Sequence, residues 1–299
     1  MPQKLLTTSE LVKKYQLNTL KSLGQNFIFD KNFTDKIARG GLGENQQNFN
    51  GDYILEIGPG PGGLTRSILD LSPQKLFVIE KDLRCQEILQ EYKKFYGETL
   101  EIISADALTI DETKIFGENK FKIIANLPYN IGTTLIFKWL KILPKIQSIT
   151  VMLQKEVAER IVANLHHNHY GRLAVMINLL CDTKINFLVS KSVFVPPPKV
   201  DSAVISIVPS PEKMQKYFFP ELLKELEFVV FTAFNQRRKM LKSSLQNCFK
   251  KYKLSSENFF IEKFFSELNI DYKKRAENIS IEEYFLITKK FIQITNDRR

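Results

Sequence analysis

Short apolar runs alternate with stretches of helical periodicity over the first two thirds of this chain, and that alternation restricts the fold more than any other feature. The runs fall at 53–57, 76–80, 100–104, 121–125, 148–153, 185–189 and 203–208. Between them lie "LTRSILDL", "RCQEILQEYKKF", "TTLIFKWLKI", "KEVAERIVANL" and "RLAVMINLLC", whose apolar residues recur every three or four positions. Strands alternating with helices predict an α/β fold with a doubly wound, mostly parallel sheet. After "VPSPEK" at 208–213 the strand pattern stops and Phe- and Leu-rich helical patterns continue to the end. The expected division is 1–209, with 1–50 as an N-terminal arm and helix, followed by a helical part at 210–299.

Composition matters chiefly for partners. The chain has 299 residues, is 43% hydrophobic and carries a net charge of +10, enough apolar material for a large core. From 209 to 299 there are 18 Lys and Arg against 12 Asp and Glu, so this part alone holds +6. A polyanionic partner fits that excess, although 33 of the 43 basic residues are lysine, which a biased genome also produces. The longest mainly apolar stretch, 173–181, falls well short of the roughly 18 residues of a spanning helix, so no membrane segment is expected. The start, "MPQKLLTTSELVKKYQ", places charges where a leader would place an apolar core, and a cytoplasmic location is expected. Cys85, Cys181 and Cys248 are isolated from one another, which indicates neither a disulfide framework nor a zinc site.

The first chemical signal is "ILEIGPGPGGLTRSILD" at 54–70, where a strand runs through Gly58, Gly60, Gly62 and Gly63 into a helix. Glycines there allow a sharp turn and a close approach to a ligand at the carboxyl edge of the sheet. Taken literally, Gly58-x-Gly60-x-x-Gly63 also fits a dinucleotide fingerprint, which would suggest a dehydrogenase. Glu80 closes "KLFVIE" and suits ribose hydroxyls of NAD or of S-adenosylmethionine alike. Asp106, closing "LEIISAD", discriminates better, because a second carboxylate at the next strand end suits the exocyclic amine of an adenine lying across the sheet edge. Each acid taken singly could instead be a helix cap or a solvated turn.

The fourth strand end reads Asn126-Leu127-Pro128-Tyr129. An adenine N6 amino group is a poor nucleophile, because its lone pair is delocalised into the ring. The amide oxygen of Asn126 and the carbonyl of Leu127 could accept its two hydrogens and localise that pair. Pro128 stiffens the turn that presents the carbonyl, and Tyr129 can stack on an exposed base. An amide beside an aromatic therefore reads as an amino-group methylation site.

These motifs together resemble the ribosomal RNA adenine N6,N6-dimethyltransferase family, in its bacterial small-subunit branch, over nearly the whole chain. The resemblance rests on "SLGQNFIFD" (22–30), "LEIGPGPGGLT" (55–65), "IEKD" (79–82), "SADAL" (104–108) and "NLPYNI" (126–131). It extends through "LQKEVAERIVA" (153–163), "YGRLAVMI" (170–177), "VFVPPPKVDSAVI" (193–205) and "FNQRRKML" (234–241). It implies a Rossmann-like, seven-stranded class I methyltransferase sheet whose last strand is antiparallel, followed by a small helical RNA-binding domain. The implied activity is S-adenosylmethionine-dependent dimethylation of two adjacent adenines near the 3′ end of small-subunit ribosomal RNA, on the pre-30S particle, by a monomer. Asn26, Ile28, Gly58, Gly60, Glu80, Asp106 and Asn126 then correspond to cofactor contacts. Asn126, Leu127, Pro128 and Tyr129 correspond to the catalytic turn, and Phe194 to an aromatic that closes the base opposite Tyr129. Many relatives carry Leu where Ile28 stands, a change that a backbone contact tolerates.

Two alternatives stay in the same fold. The large-subunit enzyme of macrolide resistance shares the glycine loop and the Asn-x-Pro-Tyr turn, but "EVAERIVA", "PPPKVDSAVI" and "FNQRRK" favour the small-subunit type. A catalytically silent assembly factor would have little use for Asn126 and Tyr129. Arg237, Arg238 and Lys239 are expected to fan round a helix start and grip RNA phosphates. "HHNH" at 166–169 holds all three histidines but lacks neighbouring Cys or carboxylate ligands, so it reads as a surface loop and no metal is expected.

Overall fold

The computed structural model describes residues 5–19, 25–254 and 258–296, so positions 22–24 of the first motif and 1–4 of the expected arm lie outside the described residues. The chain divides into two compact units, one of Met1–Ala158 with Lys184–Val208 and the other of Glu159–Thr183 with Pro209–Arg299.

The first unit opens with α1 (Thr8–Lys14), whose Thr7 and Glu10 form a reciprocal capping box. After β1 (Phe27–Ile28) and α2 (Lys31–Gly40) come β2 (Tyr53–Ile57), α3 (Gly63–Leu69), β3 (Lys75–Glu80), α4 (Leu83–Tyr96) and β4 (Leu100–Ser104). Then follow α5 (Glu112–Phe116), β5 (Phe121–Asn126), α6 (Gly132–Leu140), β6 (Ile146–Gln154), α7 (Lys155–Val162), α8 (Arg172–Asn178), β7 (Cys181–Val189), β8 (Phe194–Val195) and β9 (Ser202–Pro209), of which α8 belongs to the second unit and α7 and β7 straddle the division. Seven strands form one sheet in the order β4-β3-β2-β5-β6-β9-β7. Pairings among β4, β3, β2, β5 and β6 are parallel, and β9 runs antiparallel to β6. Burial of all but the last residue of β5 and all but the first of β2 explains why these strands read as continuous apolar runs.

Parallel register carries the carboxyl ends of four strands to one edge. Ile57 lies beside Ile79, Glu80 beside Ser104, and Leu55 beside Ile123. The segments that leave these strands, at 58–63, 81–82, 105–107 and 127–131, therefore emerge together. At the opposite edge the loop at 43–52 is fixed by a buried ion pair, Lys122 Nζ to Asp52 Oδ2 at 2.7 Å, with Gln46 Oε1 also accepting from Lys122.

The pairing of β1 with β8 is absent from the expectations above. Phe27 faces Val195 and Ile28 faces Phe194 in an antiparallel ladder. Two-residue strands carry no measurable periodicity, and their partners lie far apart in sequence.

The second unit contains α8 with α9 (Pro211–Tyr217), α10 (Pro220–Asn235), α11 (Leu241–Ser244), α12 (Gln246–Lys251), α13 (Asn258–Ser266) and α14 (Ile281–Asn296). It also takes in 159–183, which the sequence division near 209 placed with the first part. Tyr170, 1% exposed, donates its hydroxyl to the carbonyl of Ile279 at 3.0 Å and so ties this segment to the helices. The phenylalanines fill the core edge to face, with Phe249 5.1 Å from Phe291 at 76° and 5.2 Å from Phe264 at 72°. Among the described residues no helix is long and apolar enough to cross a membrane.

Candidate active site

One cavity at the carboxyl edge of the sheet gathers every sequence-predicted site residue of the first unit. Asn26 lines it from just before β1 and Ile28 from β1, Gly58 and Gly60 from the loop after β2, Glu80 from the end of β3 and Asp106 from the loop after β4. Asn126, Leu127, Pro128 and Tyr129 line it from the end of β5, and Phe194 from β8.

The glycine loop follows a backbone geometry that glycine adopts at the lowest cost. Gly58, Gly60 and Gly62 have φ of 62°, 55° and 83°, in the left-handed region that penalises side chains. At Gly60 an added Cβ would also meet Cε1 of Phe27 at 2.9 Å. The loop is pinned from below, because Gly58 N donates to Ile79 O at 2.9 Å and Gly60 N to Glu80 Oε2 at 3.0 Å.

Glu80 is 7% exposed. Its Oε1 accepts from the N–H groups of Lys81 and Asp82, both at 2.9 Å, while Oε2 accepts from Gly60. Burial pushes its carboxyl above the ordinary value, and the three N–H donors oppose that rise. Glu56, one layer lower and 1% exposed, lines the same cavity and accepts the Thr65 hydroxyl at 2.7 Å. Burial pushes its carboxyl up to about 8, with the neighbouring charge of Glu80 adding to the rise. Sequence reading passed over Glu56; its signal is an acid as the fourth residue of a five-residue strand that is otherwise apolar apart from Tyr53.

Asp106 is the more open acid. Its Oδ1 accepts from Leu108 N at 2.9 Å and its Oδ2 lies 3.7 Å from Lys81 Nζ. At the end of β5, Asn126 donates Nδ2 to the carbonyl of Asn26 at 3.4 Å, which leaves Oδ1 as the acceptor end of the amide. Leu127 N donates to Met152 O at 3.3 Å, and Pro128 O accepts from Ile131 and Gly132, both at 3.1 Å, closing the turn. Tyr129 is partly buried, and its hydroxyl lies 2.5 Å from Ser202 Oγ at the start of β9. Burial raises this phenol above its ordinary value, and the bond to Ser202 opposes the rise. Ser202, wholly buried, is a site neighbour that sequence reading did not isolate. Phe194 is 2% exposed, so its ring forms wall rather than rim.

The basic triplet lies in the second unit, in the turn between α10 and α11 rather than round a helix start as expected. Arg237 is committed to structure: Nε pairs with Glu277 Oε2 at 2.6 Å and Nη2 donates to Asn168 O at 3.2 Å. Arg238 and Lys239 are exposed. Leu241 N donates to Lys274 O at 2.7 Å and Lys242 N to Tyr272 O at 3.2 Å, so the basic segment "YKKR" at 272–275 runs alongside. In the histidine loop, His167 Nδ1 accepts from His169 N at 3.3 Å, and His169 lies 3.6 Å from Glu159. Among the described residues no group of three or more His, Cys, Asp or Glu could hold a metal ion.

A glycine loop, two acids at successive strand ends and an amide–aromatic turn, all on one parallel sheet edge, define a class I methyltransferase acting on an amino group. The chain matches the family model described as ribosomal RNA adenine dimethylase over residues 16–293. It is 42% identical over 285 residues to the "Ribosomal RNA small subunit methyltransferase A" of Rhizobium etli, covering 93% of this chain and 94% of that one. It is 40% identical over 288 residues to the protein of the same name from Xanthobacter autotrophicus, covering 95% and 93%. Among solved structures, a dimethyladenosine transferase from Plasmodium falciparum superposes with a TM-score of 0.70 at 26% identity, over 91% of this chain and 98% of that one. The chain belongs to the ribosomal RNA adenine dimethylase family, and it is an enzyme of that class.

Proposed function

We propose that this enzyme carries methyl groups from S-adenosylmethionine to N6 of two adjacent adenines near the 3′ end of small-subunit ribosomal RNA. The observation that carries the reading is the meeting, in one cavity, of the carboxylate Glu80 with the turn of Asn126 and Tyr129. The names of the relatives support the small subunit as the source of the RNA.

The residues present fit such a cofactor. Gly60 lets the loop backbone close onto the Phe27 ring, which an added Cβ would meet at 2.9 Å, and the methionine part is assigned to this loop, with Gly58, Asn26 and Ile28 lining the same cavity. Glu80 spends three acceptor positions on backbone N–H groups; a carboxylate has about four, and the remainder suits a ribose hydroxyl. Asp106 keeps one oxygen clear of its own turn for an adenine amine. When bound, the cofactor supplies an electrophilic methyl group.

The remaining chemistry belongs to the chain. Asn126 Oδ1 and the carbonyl of Leu127 accept the two N6 hydrogens and draw the nitrogen from planar towards tetrahedral geometry. Pro128 fixes the direction of that carbonyl. Tyr129, anchored by Ser202, offers one face to the base and Phe194 the other. The helical unit grips RNA phosphates through Arg238 and Lys239, with the neighbouring 272–275 segment adding charge, and Arg237 holds the turn that presents them. We assign 1–209 the catalytic and cofactor role and 210–299 the RNA-binding role, with the pre-30S particle as partner, the cytoplasm as location and a monomer as the working form.

The test is methyl transfer from labelled S-adenosylmethionine to purified small- and large-subunit particles that lack these methyl groups, with modified adenines mapped by primer extension. Label confined to adjacent adenines of the small-subunit RNA is expected. Label on the large subunit alone, or on neither, would overturn the proposal.

A further inference from the structure

We propose that the exposed segment at 195–201, from the last residue of β8 to the start of β9, is a ledge for the nucleotide next to the target adenine, with Val195 and Val200 as the residues that select it. The inference rests on the RNA-methylation reading above. The loop departs from one aromatic residue of the site and returns to the other. It begins directly after Phe194 on the cavity wall, and it ends at Ser202, whose Oγ lies 2.5 Å from the Tyr129 hydroxyl. Consecutive Cα atoms are about 3.8 Å apart, so Val195 and Val200 cannot lie far from those anchors. The return is fixed further, since Asp201 O accepts from Lys155 N and Asp201 Oδ1 from Lys191 N, both at 3.0 Å.

Strand alternation turns Phe194 inward and its neighbour outward, and the exposures follow, 2% for Phe194 and 53% for Val195. Val200 is 44% exposed, and Pro196, Pro197 and Lys199 are also open to solvent. A single exposed valine needs no explanation. Two valines on one proline-stiffened loop, tethered at both ends to the site, form a surface with its shape already set. A nucleotide has the complementary chemistry: the apolar face of a base lies against valine and proline, and its phosphate meets Lys199. The lysine contact is blind to sequence, whereas the shape of the valine ledge is not.

The test compares wild type with a Val195→Ser, Val200→Ser double variant on methyl-free small-subunit particles. Expected is a rise of about tenfold in KM for the particle, with kcat, cofactor affinity and the urea midpoint unchanged. A photo-crosslinking residue at position 200 should attach to the nucleotide adjoining the methylated pair. An unchanged KM, or a crosslink to a ribosomal protein or to distant RNA, would overturn the proposal while normal wild-type methylation leaves the earlier reading intact. A wild-type chain that fails to methylate the particle would remove both.

Discussion

Glu56→Gln offers a measurement whose sign follows from the structure. The side chain is 1% exposed, its Oε2 accepts the Thr65 hydroxyl at 2.7 Å, and burial pushes the carboxyl from 4.5 up to about 8. Below pH 4.5 both folded and unfolded chains hold this proton. Between there and about pH 8 the folded chain holds it and the unfolded chain has released it. Stability must therefore fall as pH rises through that window, by about 1.4 kcal/mol per pH unit from this group, or on the order of 5 kcal/mol across it. Above the upper value both states are ionised and the contribution is level. Glutamine keeps an acceptor for Thr65 and cannot ionise, so the variant should lack this slope.

The assay is urea unfolding of both chains between pH 5 and 8, followed by far-ultraviolet circular dichroism. Groups not coupled to Glu56 titrate alike in the two proteins, so the difference between the curves reports Glu56 together with its coupling to Glu80. The variant should gain on the wild type steadily as pH rises, by at least about 2 kcal/mol over the range even if relaxation of the buried site halves the effect. A difference that stays flat would mean that the carboxyl is ionised in the folded chain, and the burial argument would be wrong.

Asn126→Ala removes the acceptor proposed to localise the N6 lone pair. Single-turnover methyl transfer at saturating cofactor and particle should fall on the order of 100- to 1,000-fold, and a near-normal rate would reduce the amide to its bond with Asn26. Glu80→Gln turns an NH2 group towards N–H donors that the carboxylate now accepts, so calorimetry should show cofactor affinity falling by about 1–3 kcal/mol; unchanged affinity would separate Glu80 from the cofactor. Arg238→Glu with Lys239→Glu should weaken RNA binding and flatten its salt dependence. Arg237→Glu should instead lower the unfolding midpoint by breaking its pair with Glu277, and if that midpoint is unmoved the arginine is not structural.

The sheet was legible because its central strands are buried on both faces, so that 53–57 and 121–125 could be little else. The edge that carries the site was legible for a related reason: parallel strands send their carboxyl ends the same way, and polar residues placed there stand out against apolar runs. Gly58, Glu80, Asp106 and Asn126 each follow such a run, and all four line one cavity. The placement of 159–183 was not legible. Its apolar residues mark α8 as a core helix, with Ala174 to Ile177 all buried, but do not say which core it enters, and the choice depends on long-range partners such as Ile279.

Contacts between positions remote in sequence are where reading the chain ran out, and they decide what the site residues are free to do. Tyr129 could be read as a stacking ring, but its hydroxyl bond to Ser202, 73 positions away, fixes the ring to the sheet. Three adjacent basic residues looked equivalent, and all three are exposed, yet Glu277 and the carbonyl of Asn168 hold Arg237 to its own unit. Glu80 could be assigned a ligand from its place at a strand end, but its three backbone donors make it the support of the glycine loop as well. A substitution there therefore disturbs loop and ligand together. That is why the neutral but isosteric glutamine, rather than alanine, is the informative change: it keeps the volume of the side chain while removing its charge and replacing one acceptor oxygen with an NH2 group.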